Sequence, residues 1–213
     1  ASQVELRVLN SSSKRIEIVG EVNENMFYGP KLQLTTSIAT FVGSQSIRVT
    51  DTVTNRGASP QEFQLIYHNN YGPPLLAKGS RFFAPIRSLF PINGHSAGGI
   101  ESFDTYRAPS PNFVEEVFCL ETLADAEGMT PVLLSDPERN RAILIRISHQ
   151  TLPYVSLWKS TSLIEDGYVT GIEPGTGFPY NRSVERKFGR VPLLEAGESL
   201  TFELEFTVLT SPD

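Results

Sequence analysis

Apolar and polar residues alternate along much of the chain. Residues 4–10 (VELRVLN) and 14–22 (KRIEIVGEV) do so. In 46–55 (SIRVTDTVTN), Ile47, Val49, Asp51 and Val53 fall on one side, and Arg48, Thr50, Thr52 and Thr54 on the other. In 199–209 (SLTFELEFTVL), Leu200, Phe202, Leu204, Phe206 and Val208 share a side. A period of two held over such lengths predicts half-buried antiparallel strands. The run 142–147 (AILIRI) is more continuously apolar and predicts a strand covered on both faces. Turn-forming clusters separate these runs at 55–60 (NRGASP), 93–99 (NGHSAGG), 136–140 (DPERN) and 195–199 (EAGES). Residues 114–128 (VEEVFCLETLADAEG) read either as a helix or as a strand ending in a turn. Strands at this spacing predict an all-β, antiparallel sandwich or barrel, with residues 1–213 as a single domain.

Composition narrows the function. The chain has 213 residues, enough for a real core, and a formal charge of −6. Its basic residues are scattered, and phosphate binding needs clustered positive charge, so nucleic acid is not an expected partner. Its apolar runs are far shorter than the roughly 20 residues that span a bilayer, so no membrane partner is expected either. Cys119 is the single cysteine. No internal disulfide can form and no cysteine-rich zinc site exists, which fits a reducing, cytoplasmic location. Three separated histidines give no metal-ligand spacing, so no metal is expected.

Several polar clusters could carry chemistry. The first is His68 in 65–76 (LIYHNNYGPPLL), delivered by a strand-like run just before a Gly-Pro-Pro turn. Imidazole titrates near neutrality and can give or take a proton, so His68 reads as a general acid or as a corner residue bonded to a turn carbonyl. Asn70, two residues on, falls on the same side. The second is Glu173 in 168–182 (YVTGIEPGTGFPYNR), a carboxylate at a strand end held by a Pro-Gly turn. It suits a general base; an exposed loop glutamate is the plainer alternative. Thr176, Tyr180 and Asn181 follow closely as hydrogen-bonding groups. The third is 152–160 (LPYVSLWKS), with the only tryptophan, Trp158, beside Lys159. A tryptophan face stacks on the C–H face of a sugar ring, though on an alternating strand these two side chains point oppositely. Arg81 in KGSRFFAP could orient a hydroxyl or form a surface ion pair. Asp51 is expected to cap the VTNRG turn. Cys119 lacks a neighbouring base, which argues against a nucleophile.

Together, DTVTNRG (51–57), LIYHNNYGPPLL (65–76), LPYVSLWK (152–159) and GYVTGIEPGTGFPYNR (167–182) resemble the aldose 1-epimerase, or galactose mutarotase-like, superfamily, in a branch without assigned function. The resemblance implies an antiparallel β-supersandwich and exchange between the anomers of a free sugar or sugar derivative, with no cofactor. It makes Glu173 the base at the anomeric hydroxyl and His68 the acid at the ring oxygen. Asn70, Arg81, Trp158, Lys159, Thr176, Tyr180 and Asn181 become candidate sugar-binding residues. The alternative is a carbohydrate-binding domain without turnover. The chain resembles the later, C-terminal part of the family, whose earlier part supplies a further histidine and an arginine; no histidine precedes His68 here. The sandwich is then incomplete, or a shortened relative. A homo-oligomer, or association with a missing N-terminal segment, would supply the rest.

Overall fold

The computed structural model describes residues 3–9 and 14–210. Its strands are β1 (Gln3–Leu9), β2 (Arg15–Asn25), β3 (Lys31–Phe41), β4 (Ser46–Asn55), β5 (Gln61–Glu62), β6 (Asn69–Tyr71), β7 (Arg81–Phe83), β8 (Ile86–Pro91), β9 (Glu116–Thr122), β10 (Met129–Ser135), β11 (Arg141–Ser148), β12 (Tyr154–Ser160), β13 (Val169–Gly175), β14 (Leu193–Leu194) and β15 (Ser199–Thr210). Two short helices, α1 (Gly94–Ala97) and α2 (Arg182–Lys187), lie between strands. The larger sheet runs β1-β2-β3-β4-β15-β11-β10-β7 and the smaller β6-β13-β12-β9-β8, with β14 and β5 as a separate ribbon. The pairings within them are antiparallel. The all-β antiparallel architecture expected from alternation is the one observed.

Alternation divides the work of each strand. Phe202, Leu204, Ile145, Ile147, Val132 and Leu134 line the inner face of the larger sheet. Phe118, Leu120, Val155, Leu157 and Ile172 answer them from the smaller one. The opposite face of the larger sheet mixes polar pairs with an apolar patch: Arg48 pairs with Glu205 at 2.7 Å and the Ser37 hydroxyl donates to Glu17 at 2.6 Å, while Phe83, Leu133 and Leu209 cluster towards its β7 end. Residues 116–122 form a strand and 125–128 a turn, so the ambiguous segment resolves against a helix.

The structure decides three polar residues whose sequence reading is open or different. Asp51 does not cap the turn after β4. It faces the interior, where the Tyr67 hydroxyl donates to its Oδ2 at 2.7 Å. Asn55 holds the turn instead: its Oδ1 accepts from Gly57 N–H at 2.9 Å, and its Nδ2 donates to the carbonyls of Ser59 and Leu194 at 2.8 and 3.0 Å. Arg81 lies on β7 of the larger sheet, paired with Asp104 at 2.6 Å, away from the smaller sheet's outer face.

Lys159 is the third. It is 2% exposed and points between the layers. Its ammonium donates to the carbonyls of Ser102, Phe103 and Thr105 at 3.1, 3.0 and 2.8 Å and lies 4.8 Å from the Tyr106 ring centre. All three N–H donors are used on backbone, so Lys159 pins the 100–106 segment rather than reaching a ligand. Burial lowers its pKa to about 8 from an ordinary 10.5. Between those values the unfolded chain binds more protons than the folded one, so this group's contribution makes stability rise with pH through that window. Comparing wild type with Lys159→Met should isolate the effect. The wild-type-minus-variant difference in unfolding free energy, from urea titrations, should increase by on the order of 3 kcal/mol between pH 8 and 10.5. A difference that stays flat with pH would contradict the assignment.

Candidate active site

The site lies on the outer face of the smaller sheet, and strand register builds it. The bridge Ile66–Gly175 and the pair Asn69–Ile172 belong to one register. That register sets His68 opposite Glu173. The same alternation sends Ile172 into the core and Glu173 outward. In the neighbouring row, Val117, Trp158, Gly171 and Asn70 are successive cross-strand partners.

His68 Nε2 and Glu173 Oε1 are 3.0 Å apart. The histidine side chain is 56% exposed and the glutamate side chain 7%. Burial holds the Glu173 carboxyl above the usual carboxylate range; His68 pulls it down, and the charge of Glu115 pushes it up. Gly171 makes room for this arrangement, since a Cβ there would collide with Glu173 Oε1.

Trp158 closes one side. Its ring centre lies 5.8 Å from that of His68 at 59°, and its indole N–H donates to Glu115 Oε2 at 2.7 Å. With Ile66, Val117 and Pro179 these residues line an open cleft of about 430 Å³. Two carboxylates, an imidazole and an indole over an apolar floor can hydrogen-bond hydroxyls, move protons and stack a sugar face. Among the described residues, no group of three or more His, Cys, Asp or Glu is arranged to hold a metal ion.

Pro179 is held in place from below. Glu185 is fully buried, accepts the Phe178 N–H at 2.9 Å, and receives both arms of Arg190 at 2.7 Å. The Arg190 guanidinium lies 5.1 Å from the Phe178 ring centre and 4.4 Å from that of Phe188. This bidentate, ring-sandwiched pair fixes the loop that follows β13.

The chain matches, over residues 1–208, the family described as Domain of unknown function (DUF4432). It belongs to the DUF4432 family. A Klebsiella pneumoniae subsp. pneumoniae MGH 78578 protein, solved under the name putative aldose 1-epimerase, shares 38% identity and a TM-score of 0.96 over 99% of this chain and 55% of that one. The DUF4432 chain thus spans about half the length of that relative. A galactose mutarotase-like protein from Clostridium acetobutylicum has a TM-score of 0.64 at 15% identity, over 97% of this chain and 65% of that one. A putative aldose 1-epimerase from Escherichia coli K12 has 0.59 at 16%, over 97% and 69%. The sandwich is the galactose mutarotase-like fold. No curated protein matches the DUF4432 chain.

Of the residues singled out in the sequence, the structure brings His68, Glu173 and Trp158 together. Asn70 is exposed on β6, opposite Gly171, just outside the cleft lining. The others serve the scaffold. Thr176 is buried, with its hydroxyl accepting from Leu65 N–H at 3.2 Å. The Tyr180 hydroxyl donates to Ile92 O at 3.2 Å. Asn181 caps α2, accepting from Ser183 N–H at 2.9 Å. Neither these three nor Arg81 and Lys159 line the cleft. Burial pushes the Cys119 thiol up to about 12, which leaves it unreactive. Glu115 and Pro179 escaped the sequence reading. In Val-Glu-Glu-Val, only alternation distinguishes the outward Glu115 from the buried Glu116.

Gly171→Ala tests this geometry without rebuilding the core. The obstructing atom is the end of a flexible side chain, so Glu173 can swing out into the open cleft, where water replaces His68 as its donor. The unfolding midpoint should move by no more than about 4 °C, the equivalent of about 1 kcal/mol for a chain this size. A crystal structure of the variant should show the His68–Glu173 contact broken; an intact contact would refute the role given to Gly171.

Proposed function

We propose that this protein is an aldose 1-epimerase-like isomerase that interconverts the anomers of a free sugar or sugar derivative. The observation that carries the reading is the 3.0 Å pairing of His68 with Glu173 across an open cleft beside Trp158. The family relationship supports it, since a relative at 38% identity bears the name putative aldose 1-epimerase.

The chemistry needs one base and one acid. Ionised Glu173 accepts the proton of the anomeric hydroxyl while protonated His68 gives one to the ring oxygen. The bond between the anomeric carbon and the ring oxygen breaks, leaving an open-chain aldehyde and a new hydroxyl. Rotation about the adjacent carbon–carbon bond presents the other face of the carbonyl. The new hydroxyl then attacks, His68 recovers its proton and Glu173 returns its own. No proton is gained or lost overall. A sugar entering the cleft replaces the direct His68–Glu173 contact with one hydrogen bond to each. Trp158 offers its face to the C–H side of the ring, and the Glu115 carboxylate accepts from a hydroxyl.

A carbohydrate-binding domain without turnover is the second reading. It is favoured by Trp158, whose ring lines the open cleft beside His68 and suits a sugar face whether or not a reaction follows. Proton NMR of anomer exchange over a panel of aldoses separates the two. Glu173→Gln and His68→Asn should each lower the exchange rate by about 10²–10⁴-fold, while sugar binding persists. Binding with no exchange above the uncatalysed rate in wild type would leave only the second reading.

The pH profile provides a separate check. Glu173 must be ionised to act as the base, and its pKa is raised. The acid limb of the rate profile should therefore lie above the range of an ordinary glutamate. Glu115→Gln removes a negative charge that contributes to the rise. The limb should then move to lower pH, and a limb moving upward would contradict the assignment of Glu173 as the base.

A further inference from the structure

Tyr67 and Asp51 stand behind the site, Tyr67 on the inner side of the segment that carries His68 and Asp51 across from it on β4 of the larger sheet. Neighbouring residues on an extended strand face opposite ways. Tyr67 accordingly points between the sheets while His68 points into the cleft. The Tyr67 hydroxyl crosses to the larger sheet and donates to Asp51 Oδ2 at 2.7 Å. Asp51 sits inside that sheet, paired across the ladder with Thr36 and Phe202, and is 4% exposed. Its Oδ1 is buried with no hydrogen-bond partner.

This carboxylate is costly. Its position belongs to a row where Ile47, Val49 and Val53 are apolar. A buried charge with one oxygen left over destabilises a fold unless something offsets it. Replacing both partners of such a bond by apolar groups is often neutral or favourable, so stability alone is a poor reason for keeping it.

The segment it reaches is lightly held. β6 has only three residues and lies at the edge of its sheet. Residues 67 and 68 fall outside the ladder strands. Their backbone is tied by Tyr67 N–H to Pro174 O at 2.8 Å and Asn69 N–H to Tyr67 O at 3.1 Å, with the Asn69 amide reaching Ile172 O at 3.0 Å, and the Tyr67 ring packs against the core without a directional bond of its own. These bonds run mostly along the plane of the smaller sheet. The Tyr67–Asp51 bond runs across it.

We propose that Asp51, through Tyr67, is a positioning residue for His68: it braces the edge segment against the larger sheet and so fixes the distance from His68 to Glu173. The inference rests on the acid–base reading of that pair. Neither Asp51 nor Tyr67 lines the cleft, so neither is given a part in the chemistry.

The test compares Tyr67→Phe, Asp51→Asn and the double variant Asp51→Leu/Tyr67→Phe, each followed by thermal unfolding, anomer-exchange kinetics and a crystal structure. Tyr67→Phe leaves the Asp51 carboxylate without its donor, so both the unfolding midpoint and kcat should fall. Asp51→Asn keeps an acceptor for the hydroxyl and should keep kcat near wild type. The double variant should recover part of the unfolding midpoint lost in Tyr67→Phe, yet retain a kcat about 10–100-fold below wild type with KM little changed. Its His68 Nε2 and Glu173 Oε1 should stand beyond hydrogen-bonding distance. A double variant that recovers kcat together with stability, and keeps the 3.0 Å contact, would show a merely structural bond and overturn the proposal. If wild type exchanges no aldose, the isomerase reading fails on that count. The crystallographic distance in the double variant then still decides whether Asp51 and Tyr67 hold His68 in place.

Discussion

The two-residue period of the smaller sheet is the constraint on which the site depends. Each strand must supply the core with one set of side chains and the cleft with the other. On β13, Ile172 is buried against the larger sheet while Gly171 and Glu173 face outward. On β12, Leu157 goes in and Trp158 goes out. The edge segment follows suit with Tyr67 and His68. A one-residue slip of any of these would send Glu173, Trp158 or His68 into the core and expose an apolar residue in its place. The hydrophobic core therefore fixes the site's register, because the misregistered alternatives bury charge and lose apolar contact.

Between the layers, a few polar groups are tolerated because their hydrogen bonds cross the gap. Lys159 turns its charge onto three carbonyls of the 100–106 segment. The Tyr106 hydroxyl bonds the Thr170 hydroxyl at 2.8 Å. The Tyr67 hydroxyl bonds Asp51. Burial raises the pKa of both Tyr67 and Tyr106, which keeps their hydroxyls protonated and able to donate. These contacts tie particular points of one sheet to particular points of the other, a specificity that nondirectional apolar packing lacks.

That division explains what could be read from the chain. Regular alternation is a local signal, and β4 and β15 emerge with the faces that 46–55 and 199–209 imply. His68 and Glu173 stood out because each combines chemistry with a strand end, and the family resemblance set both on one sugar. Alternation alone could not show their meeting, since it depends on a register between segments about a hundred residues apart. Arg81, Lys159, Thr176, Tyr180 and Asn181 carry the right functional groups, but those groups are engaged elsewhere, by Asp104, backbone carbonyls, Leu65, Ile92 and the first turn of α2. Local sequence shows a donor and not its acceptor. Asp51 misled for the same reason: its position suggests a cap, and its partner is sixteen residues away on the other sheet.

The unequal burial of the central pair constrains what can enter the cleft. His68 is half open to solvent, so water can replace its lost partner when the pair separates. Glu173 is not, and its environment already disfavours the charged form. Moving His68 away without a substitute would leave a desolvated carboxylate unpaired, which is more costly than the contact it replaces. A ligand that separates the two must bring its own hydrogen-bond donor to Glu173 Oε1. A sugar hydroxyl meets that requirement, while a purely apolar guest of the same size does not. The acidity of the surroundings works in the same direction, because Glu115 and Glu173 face one opening and a second carboxylate offered to Glu173 would add repulsion instead of a proton.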